Sequence, residues 1–266
     1  MRRKHRNVEQ IQSQGIILKS ERETRPMSTL GVNNLLVEEL VYANRVLYDQ
    51  GVVDGLGHIS VRHPEDPNKF LLSCNRAPGL VNRQDIVCYD LEGREVSETT
   101  ERPYLERFIH GEIYRARPDV MAVVHSHSPN VIPFGITRST LKPVFHMAGF
   151  LGEGSAHFDI AEEFGDTDML IREPYLGAAL AKCLGSKTCV LMRGHGSTVV
   201  GSSIQQAVYR AIYAEVNARL QIQASGLGQV QCLTVREAQL ASDANDGQIQ
   251  SSWNLWKGRI GSIDEA

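Results

Sequence analysis

Short apolar segments alternate with amphipathic helical segments along this chain, and this alternation restricts the fold more than any other feature. Residues 59–62, 70–73 and 86–91 are rich in β-forming side chains and are bounded by Gly, Pro, Asn or Asp, which predicts strands. Residues 120–128 and 187–192 predict two further, buried strands. Strands that alternate with helices are typical of an α/β fold.

The helical segments are recognised by apolar residues that recur every three or four positions. They are predicted over residues 33–50, 103–117, 176–184 and 204–224. Thr234 and Glu237 form a capping box that begins a C-terminal helix, and residues 91–94 have the composition of a hairpin turn. Because no repeat or proline-rich linker divides the chain, we predict one α/β domain with helices packed around a mixed sheet.

The composition excludes several classes of function. The 266 residues carry 28 basic and 31 acidic side chains, a net charge of -3, so no strong positive field would attract nucleic acid. The apolar runs are far shorter than the roughly 18 residues of a membrane-spanning helix. The five cysteines are scattered and form no CxxC pair, which is typical of reduced thiols. We expect a cytoplasmic protein with neither a nucleic-acid nor a membrane partner.

Three histidines follow apolar strands. His125 and His127 are two residues apart, and the strand period of two places both imidazoles on one face, about 7 Å apart at the backbone. A glycine on each side of His195 lets the backbone turn sharply around it. Each histidine alone also suits a hydrogen-bonded core residue, but their joint occurrence favours a metal site. Three imidazoles leave a coordination position free for substrate.

Glu106 is the candidate for proton transfer. It lies in the first turn of the predicted helix that leads to the strand of His125. A carboxylate beside an ion and partly removed from water can act as acid and base. Glu106 equally suits a carboxylate that complements the positive end of the helix, and its spacing alone does not decide between these functions.

Three segments resemble the class II aldolase and adducin family. They read GLGHISVR at residues 55–62, PYLERFIHGEIYRARPDVMAVVHSHS at residues 103–128 and LMRGHGSTVVG at residues 191–201. The resemblance, which extends over roughly residues 35–226, implies a three-layer α/β/α domain with a central mixed, largely antiparallel sheet. It also implies a homotetramer with active sites at subunit interfaces.

The resemblance further implies a divalent metal ion held by His125, His127 and His195, with Glu106 at the position of the family's catalytic glutamate. Likeness to the family's decarboxylases favours Mn²⁺, and likeness to its aldolases gives Zn²⁺ as the next choice.

The chain departs from the family's sugar-phosphate enzymes at the positions where they bind phosphate. His58 stands in the place of an asparagine, residues 73–76 read SCNR, and Tyr104 with Leu105 replaces a pair of serines. The small hydroxyl donors that surround a phosphate dianion are therefore largely missing. An aromatic and an aliphatic side chain suit a flat, partly apolar ring.

Within the family, the resemblance is therefore to decarboxylases of hydroxylated pyridine or benzene dicarboxylates. The expected substrate is 3-hydroxy-2-methylpyridine-4,5-dicarboxylate, decarboxylated at C4 in vitamin B6 degradation, and 3,4-dihydroxyphthalate is the next choice. The alternatives are a sugar-phosphate aldolase or epimerase and, outside the enzymes, an adducin-like binding module.

Site roles follow from this likeness. His58 or Glu106 would protonate the ring, while Arg76, Ser73 and Tyr104 would bind the substrate, with Arg76 on its second carboxylate. His58 is equally explained as a hydrogen-bonding residue of the glycine-rich turn, and Arg76 as a solvated loop cation. His110, four residues after Glu106, is expected to orient a site residue or to pack at an interface.

Three regions are expected along the chain. Residues 1–30 form a flexible extension, with a basic arm that contacts a partner as the alternative. Residues 31–228 form the catalytic domain, and residues 229–266 form a helical extension packed on the domain or on a neighbouring subunit. Trp253 and Trp256 in this extension are expected to cover the neighbour's site.

Overall fold

The computed structural model describes residues 30–97, 101–137 and 139–263, and within them seven strands form one sheet. The strands are β1 (His58–Arg62), β2 (Lys69–Ser73), β3 (Ile86–Asp90), β4 (Ala122–Ser126), β5 (Ala156–Phe158), β6 (Cys189–Met192) and β7 (Gly196–Gly201). Their order across the sheet is β3-β2-β1-β4-β7-β6-β5. Neighbouring strands are antiparallel except β5 and β6, which are parallel.

Eight α-helices lie in the described part of the chain. They are α1 (Asn34–Asp49), α2 (Arg107–Ala116), α3 (Ile132–Gly135), α4 (Ile160–Phe164), α5 (Pro174–Leu184), α6 (Ile204–Ser225), α7 (Val235–Asp246) and α8 (Ile249–Ile260). Short 3₁₀ segments cover Pro78–Leu80, Arg83–Asp85 and His146–Leu151. None of the described helices is long and apolar enough to pass through a bilayer.

The sheet separates two apolar cores. On β4, Val124 belongs to the core that contains α1, α6 and α8, whereas the adjacent Val123 belongs to the core that contains α2 and α5. Val199 and Val200 on β7 divide in the same way. This alternation buries both faces of the sheet. The predicted three-layer α/β/α fold with a mixed, largely antiparallel sheet is confirmed.

Most predicted elements are found, and the differences have local causes. The predicted helix at residues 103–117 begins only at Arg107. Residues 103–106 are not helical, and there the Tyr104 hydroxyl donates to the carbonyl of Arg76. The turn at residues 91–94 is present, since the backbone N–H of Asp90 donates to the Arg94 carbonyl at 2.9 Å. The prediction omits β5 and β7.

The C-terminal helix α8 packs on α1 and α6. The indole Nε1 of Trp253 donates to the carboxylate of Glu39 at 2.8 Å, and Lys257 and Gln205 donate to the same carboxylate at 2.5 and 2.7 Å. The prediction that Trp253 and Trp256 cover a neighbour's site is wrong, because both rings are buried in this chain's own core.

The predicted flexible extension at residues 1–30 lies outside the described residues, except for residue 30.

The free energy of unfolding should fall by about 3–5 kcal/mol in Trp253→Ala, because the change leaves a cavity where a large, fully buried side chain stood. Asn254→Ala, at an exposed position of the same helix, is the control and should stay within about 0.5 kcal/mol of the parent. Denaturant unfolding at one fixed protein concentration measures both. Equal losses in the two variants would contradict the place of Trp253 in the core.

Candidate metal centre

The end of β4 and the start of β7 lie side by side and bring three histidines to one place. His125 on β4 pairs with Thr198 on β7. His127 follows β4 by one residue, and His195 lies in the turn between β6 and β7. Antiparallel pairing of the two strands therefore places the three imidazoles at the same end of the sheet.

Two glycines allow this approach. Gly194 has a φ of +64°, in the left-handed region that favours glycine, so the chain turns sharply from β6 into β7. Gly196 lies directly against the main-chain carbonyl of Ser126, and a Cβ added at Gly196 would collide with that oxygen. The glycines on either side of His195 thus provide a turn and a close contact between strands.

The imidazoles of His125, His127 and His195 face one another with ring centroids 5.0 to 5.1 Å apart. Glu106, at the N-cap of α2, has its Oε2 atom 3.6 Å from Nε2 of His125 and 3.4 Å from Nε2 of His195. One ligand atom from each of the four side chains lies within 4.8 Å of the others. These four residues, all singled out from the sequence, form what we call the donor cluster.

Main-chain groups orient two members of the donor cluster. The Met169 carbonyl is 3.0 Å from Nδ1 of His195, so this nitrogen is placed to donate and Nε2 keeps its lone pair toward the cluster. The backbone N–H of Ile171 donates to Oε1 of Glu106 at 2.9 Å. Met169 has a φ of +68°, uncommon for a residue with a side chain. In the loop 167–171, a left-handed conformation at Met169 thus accompanies the contacts of the Met169 carbonyl with His195 and of the Ile171 amide with Glu106.

Burial sets the charge of the donor cluster. It lowers the pKa of His125 and of His127, so both rings are neutral at neutral pH and keep a lone pair. Burial by itself raises the pKa of Glu106, but the nearby His125 and His195 rings and the hydrogen bond from the Ile171 amide outweigh it and lower that pKa to about 2.

His195 differs from the other two histidines. Burial acts to lower its pKa, but the bond to Glu106 outweighs burial and raises it. A cation bound in the donor cluster would compete with a proton for Nε2 of His195. Three imidazoles and an ionised carboxylate are donors that suit divalent ions such as Mn²⁺ and Zn²⁺.

A cavity of about 220 Å³ opens beside the donor cluster. His58, whose ring centroid is 5.1 Å from that of His125, lines it together with Asn75. Tyr104, with its ring 4.5 Å from that of His58, forms an apolar wall with Leu56, Leu105 and Leu170. Leu170 is in no motif or periodic segment, so nothing in the sequence indicates its place in the cavity wall.

Two of the predicted substrate-binding residues do not line this cavity. Arg76 donates through Nε to the carbonyl of Leu80 at 2.9 Å and lies 3.2 Å from the carboxylate of Asp85. Ser73 is fully buried in β2. Asn75, between them in the SCNR segment, does line the cavity and is absent from the predicted site.

Known proteins resemble this chain in sequence and in fold. Residues 38–222 match the model of the Class II Aldolase and Adducin N-terminal domain. Decarboxylase tropJ of Talaromyces stipitatus is 38% identical, over 83% of this chain and 92% of its own length. The 3,4-dihydroxyphthalate decarboxylase of Arthrobacter keyseri is 33% identical, over 72% of this chain and 79% of its own. The solved L-fuculose 1-phosphate aldolase of Glaciozyma antarctica PI12 superposes with a TM-score of 0.70 at 25% identity, over 85% of this chain and 88% of that protein.

His125→Ala and His195→Ala should each weaken binding of Mn²⁺ and Zn²⁺ by more than about tenfold, because each removes one imidazole from the donor cluster. His146→Ala, at an exposed position outside the cluster, is the control and should bind like the parent. Metal analysis after dialysis against known free-ion concentrations measures all three. Parent-like affinity in both cluster variants would show that the ion binds elsewhere.

Gly196→Ala should weaken metal binding and lower the unfolding temperature, because the added Cβ would collide with the carbonyl of Ser126 and push β7 from β4. Gly258→Ala is the matched control, since a Cβ there meets open space on α8, and its stability should change by no more than about 1 kcal/mol. Metal analysis and thermal unfolding give both results. A Gly196→Ala variant that behaves like Gly258→Ala would rule out this contact as a constraint.

Proposed function

The chain belongs to the class II aldolase and adducin family, and from that premise we propose that it is a metal-dependent carboxy-lyase acting on a hydroxylated aromatic acid. The observation that carries the proposal is the donor cluster beside a cavity with aromatic and aliphatic walls. The names of the two decarboxylase relatives support the same class of reaction.

We assign the metal ion to His125, His127 and His195, with the Glu106 carboxylate beside them. Bound there, a divalent ion would supply Lewis acidity that stabilises negative charge on a substrate oxygen while the carbon–carbon bond breaks. Mn²⁺ is the favoured ion, from likeness to the family's decarboxylases, and Zn²⁺ is next. Both ions accept imidazole and carboxylate ligands.

We assign proton delivery to His58. Loss of CO₂ leaves an electron pair on the ring carbon, and a nearby acid must protonate that carbon. His58 lines the cavity, and its Nδ1 is bonded to His110, so Nε2 is the atom available to a ligand. Glu106 is less suited to donate, since Oε1 accepts from the Ile171 amide and Oε2 faces two imidazoles. Its proposed role is that of an anion beside the metal ion.

The cavity walls would hold the aromatic ring. Tyr104 is fixed by its hydroxyl, which donates to the carbonyl of Arg76, and Leu105 and Leu170 complete an apolar surface. The predicted contacts of Arg76 and Ser73 with substrate are not supported, because neither residue lines the cavity.

A sugar-phosphate aldolase is the second candidate, because the solved L-fuculose 1-phosphate aldolase shares the fold. None of the described residues that line the cavity is Ser, Thr, Lys or Arg, the side chains that most often bind a phosphate dianion. This lining favours an aromatic acid over a sugar phosphate.

We further propose that the protein is a homotetramer with its sites at subunit interfaces, as the family resemblance implies. Leu56 and Leu105 at the rim of the cavity are 57% and 54% exposed in the single chain, and apolar side chains of this kind are commonly covered by a partner.

The Mn²⁺-loaded protein should release CO₂ from 3,4-dihydroxyphthalate or from 3-hydroxy-2-methylpyridine-4,5-dicarboxylate, and should release no aldehyde from L-fuculose 1-phosphate. The relative from Arthrobacter keyseri favours the benzene acid, and the sequence departures at His58 and Tyr104 are compatible with either ring. Product analysis with the three compounds distinguishes them. Aldehyde release alone would replace the proposal by an aldolase, and a protein with neither metal nor turnover would be a binding module.

His58→Asn serves as the variant for this assay. It should retain the metal ion yet lower kcat by about 10²–10⁴-fold, because the acid at the cavity is removed. A variant that loses its metal while keeping the rate per bound ion would show that His58 does not transfer the proton.

A further inference from the structure

A buried line of hydrogen-bonded groups runs from the cavity into the space between α2 and the sheet. Nδ1 of His58 is 2.7 Å from Nε2 of His110. Nδ1 of His110 is 2.6 Å from Oγ of Ser60, and this Oγ is 2.7 Å from the hydroxyl of Tyr114. None of the four side chains is more than 3% exposed. We call these four residues the imidazole–hydroxyl line.

Two spacings in the sequence create the line. His58 and Ser60 are two residues apart on β1, so they project from the same face of the sheet. His110 and Tyr114 are four residues apart on α2 and project from one side of the helix. Phe70 of β2 packs against the line, with its ring centroid 6.2 Å from that of His110 and 5.6 Å from that of Tyr114.

The line determines which atom His58 presents to a ligand. Its Nδ1 is occupied by His110, so Nε2 is the nitrogen left for the cavity that His58 lines. The rings of Tyr104 and His125 flank the His58 ring at centroid distances of 4.5 and 5.1 Å. Rotation of His58 would break the bond to His110 and disturb both of these ring contacts.

Each member of the line is able to donate or to accept a hydrogen bond. A hydroxyl does both, and a neutral imidazole has one N–H and one lone pair. When Ser60 donates to Nδ1 of His110, Nε2–H of His110 donates to His58, and the proton of His58 is on Nε2. The reverse direction places it on Nδ1. Burial lowers the pKa of His110 to about 3, which keeps this ring neutral. The same orientation of His58 therefore suits both tautomers.

We propose that Ser60, His110 and Tyr114 are positioning residues that hold the His58 ring with Nε2 toward the cavity. This inference rests on the proposed function, in which His58 protonates the substrate. A purely structural role for the line would instead lower stability without a selective effect on turnover.

The test compares two amides at position 110 in the full-length, Mn²⁺-loaded protein. The amide of His110→Gln reaches the place of Nε2 and can keep the bond to His58, whereas that of His110→Asn reaches the place of Nδ1 and can keep only the bond to Ser60. For CO₂ release, kcat should fall about 10–100-fold in His110→Asn and be largely retained in His110→Gln, with little change in KM or metal content. Equal kcat in the two variants would overturn the proposal.

A double-mutant cycle then separates action through His58 from an independent effect. In the His58→Asn background, His110→Asn should cause no further loss of kcat, because position 110 acts only through the His58 ring. Losses that multiply would overturn the proposal. If the variants at position 110 do not fold, Tyr114→Phe is the milder variant, because it removes only the hydroxyl that bonds to Ser60. It should lower kcat at constant KM, and an unchanged kcat would remove Tyr114 from the positioning group.

Crystal structures of the parent and of His110→Asn give a result that does not depend on turnover. We expect one orientation of the His58 ring in the parent, and a rotated or divided ring in the variant. An unchanged His58 ring in His110→Asn overturns the positioning role. If the parent releases no CO₂ from either acid, the proposed function fails, and the comparison of ring orientations still decides whether His110 positions His58.

Discussion

The contact between Gly196 and the carbonyl of Ser126 is the constraint on which the site depends. It allows β7 to start directly beside the end of β4, and it thereby brings His195 to the pair at His125 and His127. The central sheet order β1-β4-β7 then places His58 next to His125 from the other side. The close approach of β4 and β7 and the pairing of β1 with β4 together gather these imidazoles.

The imidazoles of His58, His110 and His125 are buried inside the domain. Imidazoles that are fully removed from water favour their neutral forms and need hydrogen-bond partners for both nitrogens. The chain provides such partners: Nδ1 of His58 bonds to His110, Nδ1 of His110 bonds to Ser60, and the Met169 carbonyl is the partner of the less buried His195. In His58 and in His195, one ring nitrogen is therefore bonded within the protein, and Nε2 remains for a ligand. The geometry of the site therefore depends on hydrogen bonds made inside the core of the domain.

Sequence patterns predicted those parts of the structure that depend on local periodicity or on short motifs. β4 and β6 are apolar runs followed by histidines, and the histidines meet because β7, which starts directly after His195, pairs antiparallel with β4 and so starts beside the end of β4. β5 is only three residues long, and β7 begins and ends with glycine, so neither has the composition of a typical strand. The prediction for Trp253 is wrong because its hydrogen-bond partner, Glu39, is far away in the sequence and comes close only in the folded chain. The lining of the cavity could not be predicted either, because the conformation of the loop determines that Asn75 rather than Arg76 lines it.

The loop 167–171 contacts the site in two distinct ways. The carbonyl of Met169 and the amide of Ile171 hold His195 and Glu106, while the side chain of Leu170 between them forms part of the cavity wall. Main-chain groups are the same whichever amino acid stands at position 170. A substitution at position 170 can therefore reshape the cavity for a different acid, while the main-chain contacts to His195 and Glu106 stay the same.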